Sequence, residues 1–228
     1  MNTQAQLVTH VYTPKTVPSE LMKQYGQLRY KCFKPEDPYV NLDHQQLVEF
    51  DRFDECHDTI YIMVVADQTK SFKQSQLMSA MRLRPTLTDY ELEMDSYRYL
   101  TNDIALPKEA GIYEGSRWVG RSSRTTEGKL STAMLITKLF HLAAEISFQE
   151  IIGTISTLSE SWMCKRQASA QRHSDIYHSE RDQLDIMVSR IPINEDFLGI
   201  ANLLLQSVLR EINIETISMS AGLYKQAA

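Results

Sequence analysis

The sequence predicts an α/β fold, a mixed central sheet flanked by helices, on three observations. Apolar runs of strand character come first as a group and then alternate with helical stretches, the order that produces a mixed sheet with helices packed on it. The 228 residues are enough for one large core, and no linker-like stretch divides them, so residues 1–228 read as one domain. Hydrophobic residues at 43% and charged residues at 23% are ordinary for a folded chain and too apolar for disorder.

The elements follow in order. Leu7 to Tyr12 reads as a short strand. Pro18-Ser19-Glu20 then opens a helix with Leu21, Tyr25, Leu28 and Cys32 at helical spacing. Lys34-Pro35 and Asp37-Pro38 end it, because proline cannot continue a helix and disfavours the helical region for its predecessor. Thr59 to Val65 is apolar on both faces and suits a central strand, and Gln76 to Leu83 is a second, joined to it by a hairpin loop at Gln68 to Gln74. Tyr90 to Leu100 reads as a short helix and Gly111 to Val119 as a strand rich in aromatic and β-branched residues. Arg121 to Ser131 is polar and basic, hence a loop. In the helix Thr132 to Phe148, Ala133, Ile136, Phe140, Ala143 and Ile146 form the packing face. Strand Ile151 to Leu158, helix Ser159 to Ala168, strand Leu184 to Pro192, helix Asn194 to Ile212 and strand Thr216 to Met219 complete the pattern.

Several function classes lose support. A net charge of -5 argues against a surface that is basic all over, so nucleic acid is not the expected partner. Cys32, Cys56 and Cys164 are odd in number and widely spaced, which reads as reduced thiols. The N-terminus lacks the basic start and apolar run of a signal peptide, and Lys138, His141 and Glu145 interrupt the most apolar helix, so a cytoplasmic location without membrane insertion is expected. The chain has no GxxxxGK[ST], GxSxG, HExxH or GxGxxG pattern, and the histidines, His173 and His178 included, make no convincing metal site.

The informative residues are charges lodged in apolar elements, gathered in two stretches, Arg29 to Asp54 and Arg82 to Arg117. Arg29 and Phe33 lie four apart and share a helix face. Asp51 and Asp54 precede the most apolar strand, Arg82 lies near the end of the next, and Glu114 and Ser116 share one side of a third with Arg117 beside them. Two readings stand. In one, Asp51 and Asp54 satisfy Arg29 and Arg82 in a buried ion-pair network while Glu114 pairs with Arg117. In the other, the three arginine forks grip an anionic or zwitterionic substrate.

These residues resemble the motifs of the LuxI-type acyl-homoserine-lactone synthases. That family's Arg-x-x-x-Phe is matched by Arg29 to Phe33, its E-x-D-x-[FY]-D by Glu49 to Asp54, its R-L-x-P-T by Arg82 to Thr86, and its E-x-S-R-[FW] by Glu114 to Trp118. The order and spacing agree across the first half of the chain; the second half agrees in its pattern of elements. Two positions depart: Tyr39 replaces a tryptophan, and Tyr97 replaces the aromatic of an F-P-x-L motif. Each keeps a ring and adds a hydroxyl.

The resemblance implies an N-acetyltransferase-like fold with a splayed sheet whose cleft takes the arm of an acyl carrier protein, or of acyl-CoA. S-adenosylmethionine would be the second substrate, with no cofactor. Its amine would attack the thioester, and its carboxylate would then displace methylthioadenosine to close the lactone. Arg29, Phe33, Tyr39, Asp51, Asp54 and Arg117 would form or brace the adenosylmethionine side; Arg82, Tyr97, Ser116 and Trp118 the cleft; Glu114 would assist proton removal. An α-amine titrates near pH 8 and a free glutamate near 4.3, so transfer to an ordinary Glu114 would be uphill by roughly 5 kcal/mol. Glu114 therefore works through a water, has its pKa raised by burial, or chiefly orients the amine. In the family, a hydroxyl on the strand Ile151 to Leu158 accompanies 3-oxo chains; Ser156 and Thr157 are the candidates, and counting from Glu114 favours Thr157. Two basic clusters, Arg121, Arg124 and Lys129, and Lys165, Arg166 and Arg172, could dock an acidic carrier, with Lys165 and Arg166 preferred.

The alternatives are an acyl-CoA-dependent N-acyltransferase of the same fold and a non-catalytic ligand-binding relative. The first would carry a pyrophosphate loop of the form [QR]xxGx[GA], for which Arg117 to Ser122 is a near miss that ends in serine.

Overall fold

The computed structural model describes residues 6–33, 41–43, 47–67, 75–121, 125–180 and 183–211. Its strands are β1 (Gln6–Tyr12), β2 (Asn41–Asp43), β3 (Val48–Phe50), β4 (Ile60–Asp67), β5 (Gln76–Pro85), β6 (Ile112–Gly120), β7 (Glu150–Ser156), β8 (Gln171–Arg172), β9 (Tyr177–Ser179) and β10 (Leu184–Pro192). The helices are α1 (Ser19–Cys32), α2 (Arg98–Thr101), α3 (Thr126–Ile146), α4 (Thr157–Cys164) and α5 (Glu195–Glu211).

The main sheet runs β1-β4-β5-β6-β7-β10, with the short β8 and β9 both on the outer edge of β10; β2 and β3 form a separate ribbon. Among the described residues every pairing is antiparallel except β6 with β7, and that parallel pairing lasts only from Ile112 to Glu114 against Glu150 to Ile152. Beyond Glu114 the two strands separate, and the sheet opens. Two glycines sit at this point. A Cβ on Gly153 would lie 2.6 Å from the carbonyl oxygen of Gly115, and one on Gly115 would lie 2.5 Å from Ile151 Cγ2, so both must lack side chains for the strands to come this close before parting.

Strand β4 explains why helices cover both faces. Ile62, Val64 and Ala66 point into a core with α3 and α5, whereas Tyr61, Met63 and Val65 point into a second core under Leu21, Tyr25 and Leu28 of α1. Burial of this run on both sides makes β4 central, as its composition predicts. A third apolar cluster, including Tyr90, Leu92, Leu100, Ile152 and Val188, packs beside β7 and β10.

Several boundaries differ from the sequence reading. Tyr90 to Leu100 is not one helix but two 3₁₀ turns, Glu91–Glu93 and Asp95–Tyr97, followed by α2. The predicted loop Arg121 to Ser131 already contains the first turn of α3, because the Thr125 hydroxyl caps that helix by accepting from Gly128 N–H at 3.1 Å. The packed face of α3 is rotated from the expected stripe: Ala133, Ile136 and Ala143 are buried, but Leu135, Leu139 and Leu142 join them while Ile146 is exposed. The same capping device shortens the strand expected to reach Leu158, since Ser156 accepts from Ser159 N–H and starts α4 at Thr157. Strands β2, β3, β8 and β9 were not anticipated; each has three residues or fewer. The hairpin loop Gln68 to Gln74 and the strand Thr216 to Met219 lie outside the described residues.

Candidate active site

Strand β5 brings Arg82 to the α1 face of the sheet, and the C-terminal end of α1 brings Arg29 to the same place. Between them lies the 3₁₀ turn Arg52–Asp54, closed by a reciprocal cap: Asp51 accepts from Phe53 N–H at 2.9 Å, and Asp54 accepts from Asp51 N–H at 2.8 Å. The turn therefore presents both carboxylates to both arginines. Arg29 binds Glu49 through Nε and Nη2, each at 2.8 Å, Asp54 through Nη1 at 2.8 Å and Asp51 through Nη2 at 3.0 Å. Arg82 binds Asp51 at 2.6 Å, Asp54 at 3.2 Å, Glu91 at 2.7 Å and the hydroxyl of Ser116 at 3.1 Å. Burial works against ionisation of Asp51, but Arg82, Arg29 and Arg117 outweigh it and hold this carboxyl well below the usual range.

Arg117 reaches the cluster by a backbone irregularity. Arg82 pairs with Ser116 and Ala80 with Val119, so the single residue Met81 faces both Arg117 and Trp118. The extra residue forms a bulge with Arg117 at φ 52°, in the left-handed region. The Tyr25 hydroxyl donates to the Arg117 carbonyl at 2.9 Å and holds the bulge in place. The guanidinium, 5.0 Å from the centre of the Phe33 ring, pairs with Glu91 at 2.9 Å and Glu49 at 3.2 Å.

The first of the two readings thus holds for Asp51 and Asp54 with Arg29 and Arg82. Its second half does not: Glu114 is not the partner of Arg117. Both oxygens of Glu114 instead accept backbone N–H groups, from Glu91 at 2.9 Å and Leu92 at 2.8 Å. Burial, with the charge of Glu91 added to it, pushes the Glu114 pKa up to about 8 against the opposing effect of those N–H groups and Arg82. Nor are the arginine forks open to an anion, because Glu49, Asp51, Asp54 and Glu91 take them up.

A cavity of about 1140 Å³ runs along the open seam between β6 and β7. Glu114, Ser116, Arg117, Phe33 and Tyr97 line its polar part; Trp118 stands in its wall. The apolar part extends past Ile151 and Ile155 to Ile136 of α3 and Phe197 and Ile200 of α5. Lys129 of one basic cluster and Lys165 and Arg166 of the other line the same cavity. Arg172 is instead engaged by Glu160 at 2.7 Å, and Arg121 donates to the Leu77 carbonyl.

Most sequence-selected residues therefore converge. Thr157 is a correction: as the first residue of α4 it does not line the cavity, whereas Thr154, Ser156 and Ser159 do. Tyr39 and Arg124 lie outside the described residues. Sequence reasoning missed Glu91, and it assigned no role to Glu49 or Arg84. All three are buried, Arg84 in bonds to Asp58, Thr59 and the Asp89 carbonyl. A glutamate between Tyr90 and Leu92 was a visible signal, a charge between two apolar anchors, but a helical reading of the segment hid it.

Two central parallel strands that part above a buried carboxylate define an N-acyltransferase fold. An acyl-CoA N-acyltransferase from Pseudomonas aeruginosa shares it at a TM-score of 0.52 and 16% identity, over 82% of this chain and 99% of that one. Solved acyl-homoserine-lactone synthases match more closely. LasI aligns at a TM-score of 0.68 and 17% identity, covering 83% of this chain and 91% of LasI. BjaI, a CoA-dependent synthase solved with S-adenosylmethionine and isopentyl-CoA, aligns at 0.66 and 15%, covering 89% and 90%. The chain has the fold of these synthases. No family model matches the sequence, and no curated protein matches it.

Proposed function

We propose that the protein is an acyl-homoserine-lactone synthase, an acyltransferase that joins an acyl group from a thioester to the amine of S-adenosylmethionine and then closes the lactone. One observation carries the reading: a single cavity of about 1140 Å³ joins an apolar part, lined by Ile136, Ile155, Phe197 and Ile200, to a polar part in which Glu114 stands. The charge balance beside it supports the same substrate. Arg29, Arg82 and Arg117 face four carboxylates, Glu49, Asp51, Asp54 and Glu91, and the negative excess favours a cation such as a sulfonium over a second anion.

In the first step the amine nitrogen bonds to the thioester carbonyl carbon, the carbon–sulfur bond breaks, and the donor leaves as a thiolate that takes up a proton. The amine proton goes to Glu114, directly or through a water. With Glu114 near 8 and an α-amine also near 8, this transfer is close to level, which removes the uphill gap of an ordinary glutamate. In the second step a carboxylate oxygen of the same molecule bonds to the carbon bearing the sulfonium. That carbon–sulfur bond breaks, its electron pair neutralises the sulfur, and methylthioadenosine departs.

The acyl donor is a carrier protein, with acyl-CoA as the alternative; both present a phosphopantetheine arm. Lys129, Lys165 and Arg166 flank the cavity where that phosphate would pass. The test incubates the protein with S-adenosylmethionine and a panel of acyl-carrier and acyl-CoA thioesters, followed by mass spectrometry. Lactone with an equal amount of methylthioadenosine is expected. Acyl amide without methylthioadenosine would favour the simpler N-acyltransferase, and no product from the whole panel would leave a binding protein.

A further inference from the structure

Glu91 has a structural position that neither its neighbours nor the motifs explain. Tyr90 and Leu92 on either side are buried and fix the 3₁₀ turn against the sheet, leaving Glu91 directed into the arginine cluster. Both its main chain and its side chain are in use there. Its N–H and that of Leu92 hold the two oxygens of Glu114. Its carboxylate accepts from Arg82 Nη2 at 2.7 Å, pairs with Arg117 Nη2 at 2.9 Å and accepts from the Tyr97 hydroxyl at 2.5 Å.

We propose that Glu91 is a positioning residue for Glu114: it occupies the Nη2 groups of Arg82 and Arg117, so that Glu114 keeps backbone partners alone and remains available to a proton. A glutamate paired with arginine is a weak base, because the cation stabilises its ionised form. Arg82 acts on Glu114 in this sense. Glu91 engages the Nη2 groups of Arg82 and Arg117, and adds a like charge of its own.

Burial is the larger cause of the raised Glu114 pKa and is common to wild type and variant; the other charged groups around Glu114 are otherwise engaged. Arg84, across from it on β5, is engaged by Asp58, Thr59 and Asp89. Tyr90 donates to the Pro107 carbonyl, and Tyr97 to Glu91 itself. Glu49, Asp51 and Asp54 stand behind the arginines and bind their remaining donors. From β7 and β10 come Ile152, Ile186 and Val188, which are hydrocarbon.

The inference rests on the proposed acyl transfer for its catalytic meaning, and its test is arranged to separate the two. Wild type and Glu91→Gln are compared by the pH dependence of single-turnover acylation and by carbon-13 NMR titration of the Glu114 carboxyl, assigned by its loss in Glu114→Gln. In Glu91→Gln both midpoints are expected to fall by about one pH unit or more. The alkaline-plateau rate should fall at least about fivefold as the base weakens, while KM for S-adenosylmethionine changes less than about threefold. An NMR midpoint unchanged in a folded Glu91→Gln overturns the proposal. Should wild type turn over no thioester, the functional reading fails, and the NMR titration still decides what Glu91 does to Glu114. If Glu91→Gln does not fold, Glu91→Asp serves in its place. It keeps the charge but withdraws it from both arginines, so a smaller fall is expected and an unmoved midpoint counts against the role.

Discussion

Arg29 Nη1 lies 2.8 Å from both carboxylate oxygens of Asp54, a contact in which neither side chain is more than 5% exposed. Its partner-for-partner burial means that the cost of separating the two is larger than the gain of having joined them. Replacing Arg29 by Met leaves Asp54, Glu49 and Asp51 short of a cation in the interior. A loss of about 3–5 kcal/mol is expected by urea unfolding. A loss below about 1 kcal/mol would show that Arg82 and Arg117 can absorb all three carboxylates.

Asp51 sets the acid limit of the same cluster. Its folded pKa is depressed, so the stabilisation it contributes is complete above the ordinary aspartate range and is lost as pH falls below it towards the folded value. Thermal midpoints measured from pH 6 down to pH 2 should fall steeply below about pH 4. Asp51→Asn should start lower and fall less steeply, and parallel curves would remove Asp51 from the acid transition.

Glu114 should behave in the opposite sense. Its folded pKa is raised to about 8, so its contribution is fully present below the ordinary glutamate value and is lost as pH rises through about 8. Glu114→Gln, neutral at every pH, should gain thermal stability relative to wild type on going from pH 6 to pH 9. The same variant should lose about 100-fold or more in acylation rate at saturating substrate. A loss within a few fold would take Glu114 out of the proton path.

At the point where the sheet opens, Gly153→Ala places a methyl group 2.6 Å from the Gly115 carbonyl oxygen, a backbone atom that cannot swing aside. The strands must move apart one residue earlier. A destabilisation of about 1–3 kcal/mol is expected, together with a raised KM for the acyl donor and a smaller change for S-adenosylmethionine. Equal changes for both substrates would place the glycine pair outside the donor's path.

Charge reversal tests the cavity mouth. Lys165→Glu with Arg166→Glu should raise the KM for a carrier-bound thioester more than about fivefold, with the effect shrinking at high salt. An unchanged KM would exclude this surface from donor docking.

The sequence made the long elements legible because their patterns are strong. Strand β4 shows itself by burial on both faces, and β10 was expected from Leu184 to Pro192 and forms there. The Arg29–Asp54 and Arg82–Asp51 pairs were foreseeable from charges lodged in apolar segments. Partner choice was not. Glu114 and Arg117 are three residues apart on one strand, and only the bulge decides which carboxylates Arg117 meets. Thr157 failed for a related reason: the Ser156 hydroxyl that caps α4 ends the strand one residue too soon for counting along it to work. Glu91 stayed hidden because its role depends on a turn that brings main chain and side chain to different partners.

The bulge at Arg117 also makes the site depend on counting. Sides along a strand are a matter of odd and even, and one supernumerary residue changes the parity halfway along β6. Ser116 and Val119, an odd distance apart, consequently share the α1 side. Removing one residue from the bulge would restore plain alternation and leave Ser116 and Val119 two apart, still on one side, so the segment beyond would keep its phase and only the residue left between them would change its direction. A single-codon deletion of Trp118 would thus turn Arg117 to the side of the sheet away from Ser116 and out of its carboxylate cluster, without touching any other part of the gene.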